Sequence, residues 1–267
     1  GLDAGSLAEV RFQRLYEGEP LDDLVCLAET ATGTSKLALQ IKNDLTFGEK
    51  DALFEEVMTA CWRTYNSPNF DRNRDHYGIA LGVYKAKIAE HYQTVLTWAR
   101  NSSSAAAFLG RIGQQGLSHK NHREFVHLIR SKLTVTHGRA VSDGDLWGFL
   151  RSMVILHFDL LAGGSRDATH AINCLGHVLQ PGTGDSAKLF SRLRDISTEA
   201  NRSAGSVAQH FSINQCRESY STKSGVCSTG VVLPNAIEHQ HEQDREVHQR
   251  SQVLVVEADP LCAGACQ

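Results

Sequence analysis

The sequence predicts an α/β (α+β) protein, with a β-β-β-α-β core followed by an α-helical region. Three observations predict it. Short stretches before residue 45 alternate apolar and polar side chains with period two. One long stretch then repeats its apolar residues at helical spacing, and a short, nearly continuous apolar run follows it. From residue 85 to about 211 the helical period continues without an internal repeat.

Residues 9–16, EVRFQRLY, alternate and predict the first strand, and EGEP at 17–20 turns the chain. DDLVCLA at 22–28 predicts the second strand, ETATGTS at 29–35 a polar hairpin loop, and residues 36–42 the third strand. Short links between three strands predict an antiparallel meander. TFGEKDALFEEVMTACWRTY predicts a helix that starts at Thr46, with Glu49 three residues on as in a capping box. Leu53, Phe54, Val57, Met58, Cys61, Trp62 and Tyr65 form its buried stripe, so Trp62 reads as core. NSPNFDRNRD, 66–75, is a polar loop, and HYGIALGVY, 76–84, a buried fourth strand.

Past that strand, Ile88, Tyr92, Val95, Leu96 and Ala99 make one helical stripe, and Phe125, Leu128, Ile129 and Leu133 another. The strongest is Leu146, Phe149, Leu150, Met153, Leu156 and Leu160. The expected division is therefore 1–84 for the core, 85–211 for an all-helical region, and 212–267 for a tail without a sustained amphipathic period. That tail reads as poorly structured or foreign to the fold. A shifted reading frame at the 3′ end of the coding sequence would produce one like it.

Net charge is −3, so no global basic excess points to nucleic acid, and any such binding must use a local patch. The apolar runs are too short for a membrane span, and no secretory signal opens the chain. Seven cysteines, an odd number, with Cys26 and Cys61 inside apolar patterns, suit a reduced cytoplasmic protein better than a disulfide framework. The chain begins with Gly1 rather than Met, as a fragment or processed product would.

The chemistry-bearing residues cluster in the second and third strands. Gln40 and Lys42 are two apart on a strand and share a face, and Asp23, at the head of the preceding strand, can point into the same space. A hard divalent cation needs oxygen ligands, which Asp23, the Gln40 amide and the Ile41 carbonyl supply. Lys42 would activate water or stabilise charge on a phosphate. Arg72, Arg74, Lys85 and Lys87 flank the fourth strand and could touch phosphates. Asp22 competes with Asp23 as the metal ligand, Asp23 being favoured because it immediately precedes the apolar run.

Other motifs carry less. PGTGDSAK at 181–188 lacks the spacing of a phosphate loop. His239, His241, His248, Cys262 and Cys266 match no standard zinc finger, and NSSSAAA starts a helix rather than forming a nucleophile elbow.

The spacing Asp-(x)₁₆-Gln-x-Lys in a β-β-α-β context resembles the PD-(D/E)xK nuclease superfamily, with Gln in place of the usual acid. Over residues 9–211 the segments LDDLVCL, LALQIKN, LTFGEKDALFEEVMTACWRTY and LSHKNHREFVHLIRSKL look like the N-terminal nuclease domains of bacterial anti-phage proteins. Those are the Cap4-like, double-stranded-DNA nuclease group of CBASS systems and STAND-type NTPases. The resemblance implies a restriction-endonuclease-like core, Mg²⁺ (or Mn²⁺) dependence and cleavage of double-stranded DNA. It also implies activation by homo-oligomerisation through a downstream NTPase or sensor module. Such folds often carry an acidic residue on a helix before the first strand, and this chain starts too late to show that helix. A catalytically silent, nuclease-like sensor or oligomerisation module is the alternative.

Overall fold

The computed structural model describes residues 6–83, 85–159, 165–178 and 185–208. Strands β1 (Ser6–Phe12), β2 (Leu24–Thr30) and β3 (Gly33–Lys42) form the expected antiparallel meander. The β2–β3 hairpin closes on the pair Thr30 and Gly33. Gly33 has φ +117°, a conformation side chains resist, and Arg74 lies where a Cβ would go.

Helix α1 (Ala52–Tyr65) starts later than Thr46. Its cap is Asp51, whose carboxylate accepts from the Phe54 N–H at 2.7 Å. Gly48 disfavours a helix in the preceding segment, and Phe47 there packs instead against the rings of Phe54, Tyr92 and Phe125. Asp51→Ala is expected to cost about 1 kcal/mol of stability, read by chemical denaturation.

The crossover through α1 brings β4 (His76–Leu81) parallel to β3. A central parallel strand is buried on both faces, which explains its nearly unbroken apolar run. Gly78 sits where β4 and β5 approach so closely that a Cβ would fall 1.8 Å from the Val154 carbonyl oxygen. A π-turn (Ile88–Tyr92) leads into α2 (Gln93–Asn101), then α3 (Ala105–Gly113), α4 (Lys120–His137) and α5 (Asp143–Ser152). Ser104 caps α3, as a helix start at NSSSAAA requires.

Here the structure corrects the all-helical reading of 85–211. Helix α5 stops at Ser152, and Met153–His157 form β5, parallel to β4 at one edge of the sheet. Met153 and Leu156, three apart, suit one face of a helix, but the continuous apolar run Met153–Leu156 equally suits a buried strand, so periodicity alone could not decide. The β-branched Val154 and Ile155 and the open edge of β4 settle it as a strand. Leu160 lies outside the described residues. Farther on, α6 (Arg166–Val178) and α7 (Ser186–Arg202) pack together. After them, β6 (Ser206–Ala208) pairs antiparallel with Glu9–Arg11 of β1. The final sheet order is β5-β4-β3-β2-β1-β6.

Ala38, Tyr77 and Met153 are register partners and so share one sheet face. With Val25, Ile79 and Ile155 they join a single buried cluster that also takes the apolar sides of α1, α2, α4 and α5. Trp62 belongs to it, as expected of core. The Tyr77 hydroxyl, wholly buried, donates to the Phe149 carbonyl at 2.6 Å, so its burial leaves no orphaned polar group. Among the described residues, no helix is long and apolar enough to cross a membrane. The segments 181–184 and 212–267, with His239, His241, His248, Cys262 and Cys266, lie outside the described residues.

Candidate functional site

The pairing of Leu24 with Leu39 sets Asp23 opposite Gln40. β2 begins at Leu24, so the Asp23 side chain takes over where backbone pairing ends. Its Oδ2 accepts from the Ile41 N–H at 2.7 Å and from the Gln40 amide nitrogen. In an extended strand a residue's N–H and C=O project to the same edge, so the Ile41 carbonyl also faces the β2 side. Asp23, Gln40 and the Ile41 backbone therefore stand together.

Lys42 is two residues past Gln40 on the same face, beside Leu81 of β4. Its carbonyl accepts from the Gly82 N–H at 3.1 Å, which pins the end of the strand. It has no ion-pair partner within 4 Å among the described residues, though its charge reaches Asp22. Partial burial and the neighbouring Asp23 carboxylate push the pKa of Asp22 above its ordinary value, and Lys42 opposes the shift. Of the two aspartates, Asp23 is the one bonded to Gln40 and Ile41.

The donors here are all oxygen: two carboxylates, a backbone carbonyl, and an amide whose oxygen replaces its nitrogen after a half-turn of the side chain. That set suits Mg²⁺ or Mn²⁺ and not a nitrogen- or sulfur-seeking metal. Among the described residues no group of three His, Cys, Asp or Glu could hold a metal, so a cation held here would depend on the amide and carbonyl oxygens as well as the carboxylates.

The four basic residues do not form one patch. β4 runs from His76, beside Leu37, to Leu81, beside Lys42, a span of about 17 Å. Arg72 and Arg74 precede its start and sit far from Lys42. Arg72 lies 4.2 Å over the Tyr65 ring and donates to Asn66. Arg74 pairs with Asp71 at 2.8 Å and donates to the Thr32 carbonyl. Lys85 and Lys87 follow the strand's other end, with Lys42. Lys85 pairs with Asp44, lowering the Asp44 pKa, and donates to the Leu45 carbonyl at 2.8 Å. Lys87 stands 3.6 Å from Glu124. Residues that flank one strand in sequence lie at opposite ends of it in space.

A cavity of about 360 Å³ at the Arg74 end was not foreseen, because three separate stretches line it, with Leu27, Lys36, Phe70 and Asp75 among them. Its charges are mutually satisfied. Lys36 pairs with Glu19 at 2.9 Å, and Asp75 accepts from the Lys36 and Asp71 N–H groups.

No protein-family model and no curated protein sequence matches the chain. Its fold is similar to solved structures of the Acinetobacter baumannii Cap4 SAVED/CARF-domain containing receptor. One has a TM-score of 0.45 at 9% identity, covering 82% of this chain and 44% of the receptor. Another, with the cyclic trinucleotide 3′3′3′-cAAA, has a TM-score of 0.45 at 10% identity, covering 82% and 45%. The chain thus spans less than half the length of these receptors. At this level of similarity, activity has to be read from the residues of this chain.

Proposed function

We propose that this chain is the core of a metal-dependent endonuclease that cuts double-stranded DNA, acting as an effector in anti-phage defence. The observation that carries the reading is the meeting of Asp23, Gln40 and Ile41 at the end of β3, with Lys42 on the same face. Asp23, the Ile41 carbonyl and the Gln40 amide oxygen would hold Mg²⁺ or Mn²⁺, with Asp22 close by. The bound ion would polarise the scissile phosphate and lower the pKa of water. Lys42, fixed at the strand end and without a competing ion pair, presents its ammonium to the phosphate and offsets developing negative charge. Lys85 and Lys87 lie toward that end, each paired with a carboxylate that an incoming phosphate would have to displace, while Arg72 and Arg74 stand apart. A downstream NTPase or sensor module and self-association in the cytoplasm complete the reading.

One observation favours a second reading, a catalytically silent nuclease-like sensor or oligomerisation module. The Asp23 oxygen is already occupied by two internal donors, and no third acid stands near it among the described residues. The two readings separate by experiment. The protein at high concentration is incubated with plasmid DNA and Mg²⁺ or Mn²⁺, with and without 3′3′3′-cAAA, beside Lys42→Ala and an EDTA control. Metal-dependent cleavage slowed by about 100-fold in Lys42→Ala is expected. No cleavage under any of these conditions, together with no binding of Mn²⁺ by calorimetric titration, would sink the nuclease reading and leave the silent module.

A further inference from the structure

Three histidines meet where the π-turn before α2 touches the first turn of α4. The rings of His91 and His119 stack at 4.5 Å with an interplanar angle of 2°. His122 stands edge-on to both, at 5.3 and 6.0 Å, and to Trp98 of α2 at 5.0 Å. Two of the rings cap α4. His119 is the N-cap, and its Nδ1 accepts from the Asn121 N–H at 3.2 Å. His122 reaches back, and its Nδ1 accepts from the His119 N–H at 3.0 Å.

Acceptance through Nδ1 requires that nitrogen to be unprotonated, so both caps exist only with neutral rings protonated at Nε2. A second proton must go to Nδ1. It would turn N–H against N–H, and it would place positive charge at a helix N-terminus, where the dipole opposes it. A charge on one ring also faces the other two within 6.0 Å. The surrounding charges give little relief. On α4, Arg123 donates to the Ser118 carbonyl, and Lys120 pairs with Glu124. Lys87, before the π-turn, also stands near Glu124, and Arg111 of α3 lies over the Trp98 ring. Glu90 lies on the π-turn itself. Among the described residues no carboxylate pairs with any of the three imidazoles. Nor do the rings form a metal site, since two Nδ1 atoms are taken by backbone donors.

We propose that His91, His119 and His122 form a proton-operated latch that closes the α2–α4 seam while the rings are neutral and loosens it when they are protonated. Next to it, Tyr92 stacks on Phe125 at 4.1 Å, and Phe47 packs on both. The latch therefore borders the segment that leads out of β3 after Lys42. The proposal stands on the seam alone and does not depend on the nuclease reading.

Burial, with His91, His119 and Arg123 beside it, holds the pKa of His122 below its ordinary value. The unfolded chain takes up its proton first as the pH falls through about 6.5. The latch's stabilisation is thus complete above that pH and is lost as the pH falls through the lower folded-state value.

The test is hydrogen exchange of the first-turn amides of α4, corrected for intrinsic rates, at pH 7.5 and 5.5. It compares the intact chain with His119→Asn/His122→Gln, which keeps both capping acceptors but cannot titrate. Exchange is expected to rise on the order of tenfold at the lower pH in the parent and to stay flat in the variant. NMR titration of the parent's imidazole signals supplies a reading that needs no variant, with His122 expected to titrate below the ordinary value. An equal rise in both proteins, or unchanged protection in the parent after its rings have titrated, would overturn the latch.

Discussion

Phe149→Ala is expected to lower the free energy of unfolding by about 4 kcal/mol. The ring is fully buried and lies 5.8 Å from Trp62, 5.8 Å from Tyr65 and 5.2 Å from Tyr77. It is the point where α5 meets both α1 and β4, so its neighbours belong to separate elements that cannot all close on the void. Deletion removes the transfer energy of a phenyl ring and leaves a cavity, which together cost about 3–5 kcal/mol. That range already contains the loss of the three ring contacts, each worth about 0.5–1.5 kcal/mol. The Tyr77 hydroxyl keeps its partner, because that partner is the Phe149 backbone carbonyl. Phe149→Leu, which fills most of the volume, should cost less than half as much. Urea denaturation of both variants measures the difference. A loss below about 1.5 kcal/mol for the alanine variant would mean that the α1–β4–α5 joint is loosely packed.

That joint shows why the fold was largely legible in the sequence. Tyr77 lies in an apolar run and Trp62 and Phe149 at helical spacing, and both patterns hold in the structure. The first five elements follow in the expected order, since each carries its own period and is punctuated by turns. What local pattern could not show was pairing between distant segments. β5 is indistinguishable from a continuing helix until β4 offers an edge, and β6 is three residues long. The site splits in the same way. Gln40 and Lys42 share a face by strand geometry alone, and the approach of Asp23 follows from hairpin register. The basic residues divide between the two ends of β4, a separation that sequence adjacency does not show because it ignores the length of the strand between them. The histidine seam left no motif, since His91 and His119 meet only through packing of the π-turn on α4.

Asp23 gives the second large effect, and its variants separate scaffold from chemistry. Asp23→Ala removes the acceptor for the Ile41 N–H at the edge of β3 and is expected to cost about 1 kcal/mol of stability, because water can reach the site. On the nuclease reading it also removes the charged metal ligand, and cleavage should fall on the order of 1,000-fold or more. Asp23→Asn keeps an oxygen for Ile41 but carries no charge. Stability should stay within about 0.5 kcal/mol of the parent while cleavage falls as far as in the alanine variant. Losing activity without losing stability is the signature of a ligand rather than a brace. Asp22→Asn is the control, because Asp22 bonds neither Gln40 nor Ile41. Calorimetric titration with Mn²⁺ reads the same assignment without turnover, as binding lost in Asp23→Asn and retained in Asp22→Asn. The reverse order would move the metal to Asp22, the aspartate whose pKa is raised by its neighbour. The bond from Ile41 to Asp23 would then be purely structural.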